Sequence, residues 1–372
     1  MILVHGAKLD FGRVESAFQE AVRQGVFPGA VVLAAKGEEV VFERAFGYRS
    51  LTPDREPMEI DDLFDVASLT KPLATTTAVM RLVQENRIAL DEPARDFLGA
   101  SDMPQFTPRQ LLAHTSGLPA WRAYYRELAA MDSAGGSWVG APQAKAYVYR
   151  RVRDERLEAS PGSRGIYSDL GFILLGELVE TVTGLDLDRF CEEKIFAPLK
   201  LKGTFFNGGR LRPSGAFVAT ERCPWRARVL RGEVHDENAY AMGGVAGHAG
   251  LFSSARDIHR LICRLRACYR GKDAFLDEAL MREFFRRDQT VAGWTYALGW
   301  DTPSRENSSS GRYFSNRSVG HLGFTGTSIW WDLERDCHIV LLTNRVHPTR
   351  ENDKIRAFRP HAHDLIMERL LG

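Results

Sequence analysis

Hydrophobic positions along the chain recur with two periods, and the change between them separates its ends from its middle. Phe11, Val14, Phe18 and Val22 stand at helical spacing, which predicts an amphipathic helix over Phe11 to Val26, ending near Gly25. Gly29 to Ala35 and Val40 to Tyr48 read as strands joined at Lys36-Gly37, an antiparallel hairpin. From Ser68 to about Gly271 the period is helical, with segments predicted at Leu73 to Glu85, Pro108 to His114, Gln143 to Arg156, Asp169 to Val182, Leu187 to Phe196 and Ala255 to Tyr269. Gly/Ser/Pro-rich loops, Met131 to Pro142 and Lys202 to Gly215, interrupt them. After a helix over Leu276 to Arg287, strand character returns at Thr295 to Asp301, Ser318 to Leu322, Thr327 to Leu333 and His338 to Thr343. A closing helix is predicted over Pro360 to Leu370.

Strands at both ends around a helical middle imply an α/β (α+β) architecture. Residues 1–67 and 290–372 would form one α/β domain, and 68–289 a mainly helical insertion, with the site in the cleft between them. At 372 residues, 44% hydrophobic and 26% charged, the chain reads as globular, which excludes disorder, collagen and membrane spanning. Its 49 Lys+Arg against 48 Asp+Glu leave a net charge of +1, so no basic field steers it to nucleic acid. Five cysteines, Cys191, Cys223, Cys263, Cys268 and Cys337, form no C-x-x-C pair, which argues against a disulfide framework and a thiolate zinc site. The apolar run within Met1 to Asp10 is too short for a signal-peptide core, so the expected compartment is the cytoplasm, although a form trimmed of a leader would read identically.

Three segments carry chemistry. In Ala67-Ser68-Leu69-Thr70-Lys71-Pro72, a helix beginning at Ser68 would put Lys71 on the same face one turn on, near enough to take the serine proton. Pro72 fits a first helical turn, and the positive end of the dipole would favour an oxyanion. Leu73 through Met80 carries no charge, so the helix is expected to be buried, and desolvation would lower the lysine pKa toward that of a base. Taken alone, an N-cap serine beside an exposed lysine is the commoner arrangement. Second, Gly165-Ile166-Tyr167-Ser168-Asp169 runs into an apolar helix, where Tyr167 could project its hydroxyl into the cleft or simply pack beside an Asp N-cap. Third, Gly320-His321-Leu322-Gly323-Phe324-Thr325-Gly326-Thr327-Ser328 stands just before a strong strand. Its glycines would let a substrate lie against the strand edge, and His321 could supply a donor or a positive charge; the bland alternative is a glycine-rich turn.

In this order the three segments resemble the serine β-lactamase and penicillin-binding-protein family, with S-x-x-K, then Tyr-x-Asn, then Lys-Thr-Gly. The likeness is closest to class C β-lactamase-like serine hydrolases and extends to Leu111 to Pro119 and Gly247 to Ala255. It implies a mainly antiparallel sheet flanked by the N- and C-terminal helices, with an all-helical domain inserted. It also implies Ser68 as nucleophile, Lys71 as its base partner, Tyr167 as proton relay, and backbone N–H groups of Ser68 and Phe324 as the oxyanion hole. Asp169 stands where Asn is usual, and His321-Leu322-Gly323 replaces Lys-Thr-Gly, which puts β-lactam hydrolysis in doubt. Asp169 either caps its helix or holds Lys71 charged, leaving Tyr167 to act as the base. A His321 imidazolium on a substrate carboxylate would make anionic substrates bind less well as pH rises through its pKa.

No G-x-S-x-G elbow, H-E-x-x-H or phosphate loop is present, so neither a cofactor nor a metal is implied. His361 and His363 are expected on a solvated helix face, His114 and His248 in structural hydrogen bonds, with His248 nearer the cleft. The expected partner is a small-molecule or peptide substrate. The expected activity is hydrolysis of an ester or amide, on a cell-wall-derived peptide or as a carboxylesterase. A β-lactamase and a non-turning-over cell-wall-ligand sensor are the alternatives.

Overall fold

A computed structural model describes residues 9–208 and 216–372. Most of the Met1 to Asp10 segment and the end of the Lys202 to Gly215 loop lie outside the described residues. The central sheet has six strands, in spatial order Glu56–Pro57, Glu39–Ser50, Gly29–Lys36, Cys337–Thr343, Ser328–Asp332 and Ser318–Leu322. All its neighbours run antiparallel, and the first and last thirds of the chain meet where Ala30 pairs with Thr343 and Lys36 with Cys337.

Alternation along the two central strands explains why they are apolar throughout. Ala30, Val32 and Ala34, with Ile339 and Leu341, face the opening helix Gly12–Arg23 and the closing helix Ile355–Leu371. Val31, Leu33 and Ala35, with Val340 and Leu342, face the helical middle of the chain. Both faces are therefore covered, and burial of each Val, Leu or Ile side chain among them contributes about 1.5–3 kcal/mol. The Ala255–Tyr269 helix and the Asp169–Thr183 helix belong to the inner layer, the second buried continuously from Leu170 to Val179.

Several elements differ from the pattern-based expectation. Thr295 to Asp301 is not a strand: Gly299 turns the chain back with a positive φ of 79°, and only Asp301 bridges to Gly320. The closing helix begins at Ile355, ahead of Pro360, which sits inside it. His363 on that helix is buried rather than solvated, its Nδ1 3.0 Å from the Ser309 carbonyl, whereas His361 is exposed. Two small sheets also accompany the helical middle, one of Phe64–Asp65, Leu251–Ser253 and Phe205–Phe206, the other of Ala219–Cys223 and Arg228–Arg231. Strands of two to five residues are too short to print a period of two.

One close approach sets the site. A Cβ at Gly247 would enter the van der Waals radius of the Phe172 carbonyl oxygen on the Asp169–Thr183 helix, so the loop carrying His248 can lie against that helix only through glycine. Gly247→Ala should cost about 1–3 kcal/mol of stability by overpacking, read as a lower urea midpoint. It should also lower activity, because His248 is displaced from the contact with Lys71 described below.

Candidate active site

Ser68 lies in a 3₁₀ turn, Ala67–Leu69, followed without a break by a π-helical turn, Lys71–Thr76, and the α-helix Thr77–Gln84. The helix expected from Leu73 is thus wound differently at its head, but Lys71 still follows Ser68 by one turn and is fully buried. Ala67 holds a left-handed φ of 48°, a strained value for a residue with a Cβ. Neighbouring elements over-determine that strain. The Asp65 carboxylate accepts from the Ala67 N–H at 2.8 Å, and Thr70 Oγ1 donates to the Ala67 carbonyl at 2.6 Å. Thr325 and Thr327 donate their hydroxyls to the carbonyls of Asp65 and Val66 at 2.8 and 3.0 Å. The loop after the edge strand is therefore riveted to the turn before the serine. A Cβ on Gly323 would collide with Thr327 Oγ1 and the Val66 carbonyl, so glycine is required there for this contact.

Lys71 Nζ meets three acceptors: Ser68 Oγ at 3.0 Å, Asp169 Oδ1 at 2.6 Å and the His248 carbonyl at 3.1 Å. Three acceptors satisfy the three donors of an ammonium, not a free amine. Burial pushes the lysine pKa down, but the Asp169 carboxylate and the Tyr167 oxygen more than offset it, and the group is held above its ordinary value. The expected lowering of Lys71 toward neutrality is thereby corrected: Asp169 reverses the sign. Asp169 is not the helix cap either; Ser168 is, accepting from the Gly171 N–H at 3.2 Å.

Tyr167 stands over this pair, its ring centroid 5.0 Å from Lys71 Nζ, and its hydroxyl interacts with Ser68 and Lys71. Burial raises the phenol above its usual pKa, with the Lys71 charge pulling the other way. His114 packs its ring 4.5 Å from that of Tyr167, and its Nδ1 accepts the Ser168 N–H at 3.1 Å, the structural role expected of it. Tyr296, invisible in the pattern, packs against both rings.

Ser68, Tyr167, Asp169, His248, His321, Gly323 and Phe324 all line one cavity of about 800 Å³, with Phe324 (50% exposed) and Trp121 (41% exposed) among the lining residues. Of the residues assigned to the site from sequence, Lys71 alone is off the cavity wall, behind Ser68. The Beta-lactamase sequence profile matches residues 14–363. The chain belongs to the Beta-lactamase family. An N-acetylmuramyl-L-alanine amidase of Bacillus subtilis (strain 168) is 32% identical over 380 residues, spanning 90% of this chain and 81% of its own. A putative D-alanyl-D-alanine carboxypeptidase of Salmonella paratyphi A is 32% identical over 376 residues, spanning 92% of this chain and 84% of its own. Among solved structures, an octameric penicillin-binding protein homologue from Pyrococcus abyssi superposes with a TM-score of 0.71 at 22% identity, over 96% of this chain and 78% of that one. The hydrolase EstCE1, described as having promiscuous acyltransferase activity, gives 0.70 at 23% identity, over 94% and 98%. At those identities the structures speak for the fold, a β-lactamase/transpeptidase-like one, and the family makes the protein a serine hydrolase.

Within this Beta-lactamase-family site, His321 departs furthest from the expectation. It is 1% exposed, its Nδ1 lies 2.8 Å from the Leu322 carbonyl, and its Nε2 has no protein partner. Burial, helped by the Lys71 charge, pushes its pKa down to about 3. Burial and the Lys71 charge thus disfavour an imidazolium at His321, and the geometry supports the hydrogen-bonding role. His248 pairs through Nε2 with Asp236 Oδ1 at 2.9 Å, which orients the loop whose carbonyl receives Lys71. Thr325, Thr327 and Thr70 lie within the motifs without a role that sequence assigns, and Asp65 lies outside them. The threonines' advance signal was their place beside Gly326 and Ser68. No helix among the described residues is long and apolar enough to cross a membrane.

Proposed function

We propose that the protein cleaves an amide bond of a cell-wall-derived peptide through an acyl-enzyme on Ser68. The observation that carries this is the Lys71 ammonium, fully buried and held by Ser68, Asp169 and His248, beside a tyrosine over the same serine. In the reactive form the Tyr167 oxygen, ionised next to that ammonium, takes the Ser68 proton as Oγ attacks the carbonyl carbon. The oxyanion forms against the backbone N–H groups of Ser68 and Phe324. Tyr167 then returns the proton to the leaving amine, the C–N bond breaks, and water attacks the acyl-enzyme with the same groups in reversed roles.

The substrate class draws support from two sides. The two relatives named above are called an amidase and a carboxypeptidase, and the cavity, large and edged by exposed aromatics, suits an extended ligand better than a short ester. Without a cation at the His321 position, β-lactams should acylate poorly. Purified protein incubated with N-acetylmuramyl-peptides, D-alanyl-D-alanine peptides, nitrocefin and p-nitrophenyl acetate is expected to release amine or D-alanine from a peptide substrate with a kcat/KM at least about tenfold above that for nitrocefin. Turnover of nitrocefin at the higher rate would overturn this choice of substrate. Stoichiometric Ser68 acylation without turnover of any substrate would assign the protein as a sensor instead.

A further inference from the structure

The Ala255–Tyr269 helix packs on the inner face of the central sheet through Ile258, Leu261, Ile262 and Leu265. Beside that apolar stripe runs a second one at the same helical spacing, His259, Cys263 and Arg266. It follows the entry to the strand Cys337–Thr343: His259 meets His338, and Arg266 pairs with Asp336 at 2.6 Å in the turn before the strand. Alternation turns His338 inward with Val340 and Leu342, away from the side of Cys337 and Ile339, and leaves it 1% exposed. A histidine buried where the strand otherwise presents aliphatic side chains needs polar partners.

Those partners are other donors of the kind that bind metals. His259 Nδ1 and His338 Nε2 lie 2.8 Å apart, and Cys263 Sγ lies 3.7 and 3.6 Å from Nδ1 and Nε2 of His259. One such atom from each of the three side chains falls within 4.8 Å of the other two. Among the described residues the three side chains make hydrogen-bond contacts only with one another, and His338 Nδ1 is buried without a partner. The charged groups nearby are engaged elsewhere. Glu43 pairs with Arg256, Glu38 and Asp336 with Arg266, and Arg260 with Asp257. No carboxylate therefore claims the imidazoles.

We propose that His259, Cys263 and His338 form a binding site for a thiophilic divalent metal ion, zinc by the match of its donors, which ties the Ala255–Tyr269 helix to the central sheet. One thiolate and two imidazoles are ligands that zinc takes, and a water completes four-coordination. Tetrahedral zinc holds its ligand atoms about 3.3–3.6 Å apart, so closure round the ion requires side-chain shifts of about 1 Å. The half-buried His259 and Cys263 have the room to make them. Protons balance simply: the Cys263 thiol gives its proton to solvent, each imidazole stays neutral with its N–H on the nitrogen that does not bind, and nothing is oxidised. None of the three residues lines the Ser68 cavity, so the site is independent of the catalytic reading. No short spacing motif announces it, because His338 stands 79 positions from His259.

The test uses the full chain, reduced and freed of metal with a chelator. Calorimetric titration with Zn²⁺ should show one ion per chain at a Kd of about 1 µM or tighter, with about one proton released and no competition from Mg²⁺ or Ca²⁺. Co²⁺ in place of zinc should give the intense charge-transfer absorption of a metal–thiolate bond, a result that needs no variant. Cys263→Ser should abolish that absorption, and Cys263→Ser and His259→Gln should each weaken zinc binding about 100-fold or more, circular dichroism confirming that both fold. At free zinc about 100 times Kd, the unfolding constant of wild type from urea titration should fall about 100-fold, and that of either variant should not respond. Failure of wild type to bind zinc at about 100 µM overturns the site. A cobalt complex without thiolate absorption, or zinc binding that keeps its full strength in both variants, places the ion elsewhere and overturns it equally.

Discussion

Replacement of Ser68 by alanine is expected to reduce kcat/KM for esters and amides by at least about 10⁴-fold, the scale on which removal of an activated nucleophile acts. The size follows from the geometry: among the described residues, no other hydroxyl is placed against both Lys71 Nζ and the Tyr167 hydroxyl. Stability should change little, by about 1 kcal/mol or less, since Lys71 keeps Asp169 and the His248 carbonyl and loses only one acceptor. Rates from p-nitrophenyl acetate hydrolysis, together with a urea titration, separate the two effects. A fluorophosphonate adduct mapped by mass to the peptide carrying Ser68 in wild type, and absent from Ser68→Ala, completes the assignment. Activity within tenfold of wild type in the alanine variant would sink it.

The nucleophile was legible because its signal is local. A serine and a lysine three positions apart, followed by proline and an uncharged run, already specify one helical face, and the burial of Lys71 to Met80 agrees with the absent charge. The paired strands at the two ends were legible for a similar reason, since unbroken apolar runs such as Gly29 to Ala35 are what a sheet covered on both faces demands. Thr295 to Asp301 misled because Trp300 and Leu298 are buried in a turn, where side chains need no alternation.

Charge states were the part that sequence could not carry. Desolvation of Lys71 could be foreseen from its apolar helix, but its net direction depends on a carboxylate 98 positions away reaching 2.6 Å. His321 looked like a titrating group from its motif alone, yet its burial, with the rings of Tyr167 and Tyr296 packed 5.9 and 6.1 Å from its own, favours the neutral form.

Asp169→Asn is the substitution expected to move the reaction most informatively. The carboxylate raises both Lys71 and Tyr167, so its removal lowers both. In wild type the Tyr167 phenol is raised above its ordinary value of about 10, so the ionised, reactive fraction is small at neutral pH and grows as pH rises. The kcat/KM of wild type should therefore climb about tenfold per pH unit from roughly pH 6 to 9, with no plateau in that range. In Asp169→Asn this acidic limb should be displaced to lower pH, and each unit of displacement makes the enzyme about tenfold faster at a fixed pH on the limb. Asparagine can still accept a hydrogen bond from Nζ, so the folded state should lose less than the ~3–5 kcal/mol typical of stripping one partner from a buried ion pair. Tyr167→Phe decides which group owns the limb. Loss of about 10²-fold or more in rate together with loss of the limb assigns it to the tyrosine. A limb that persists in Tyr167→Phe and still shifts when Asp169 is replaced would return the role of base to Lys71.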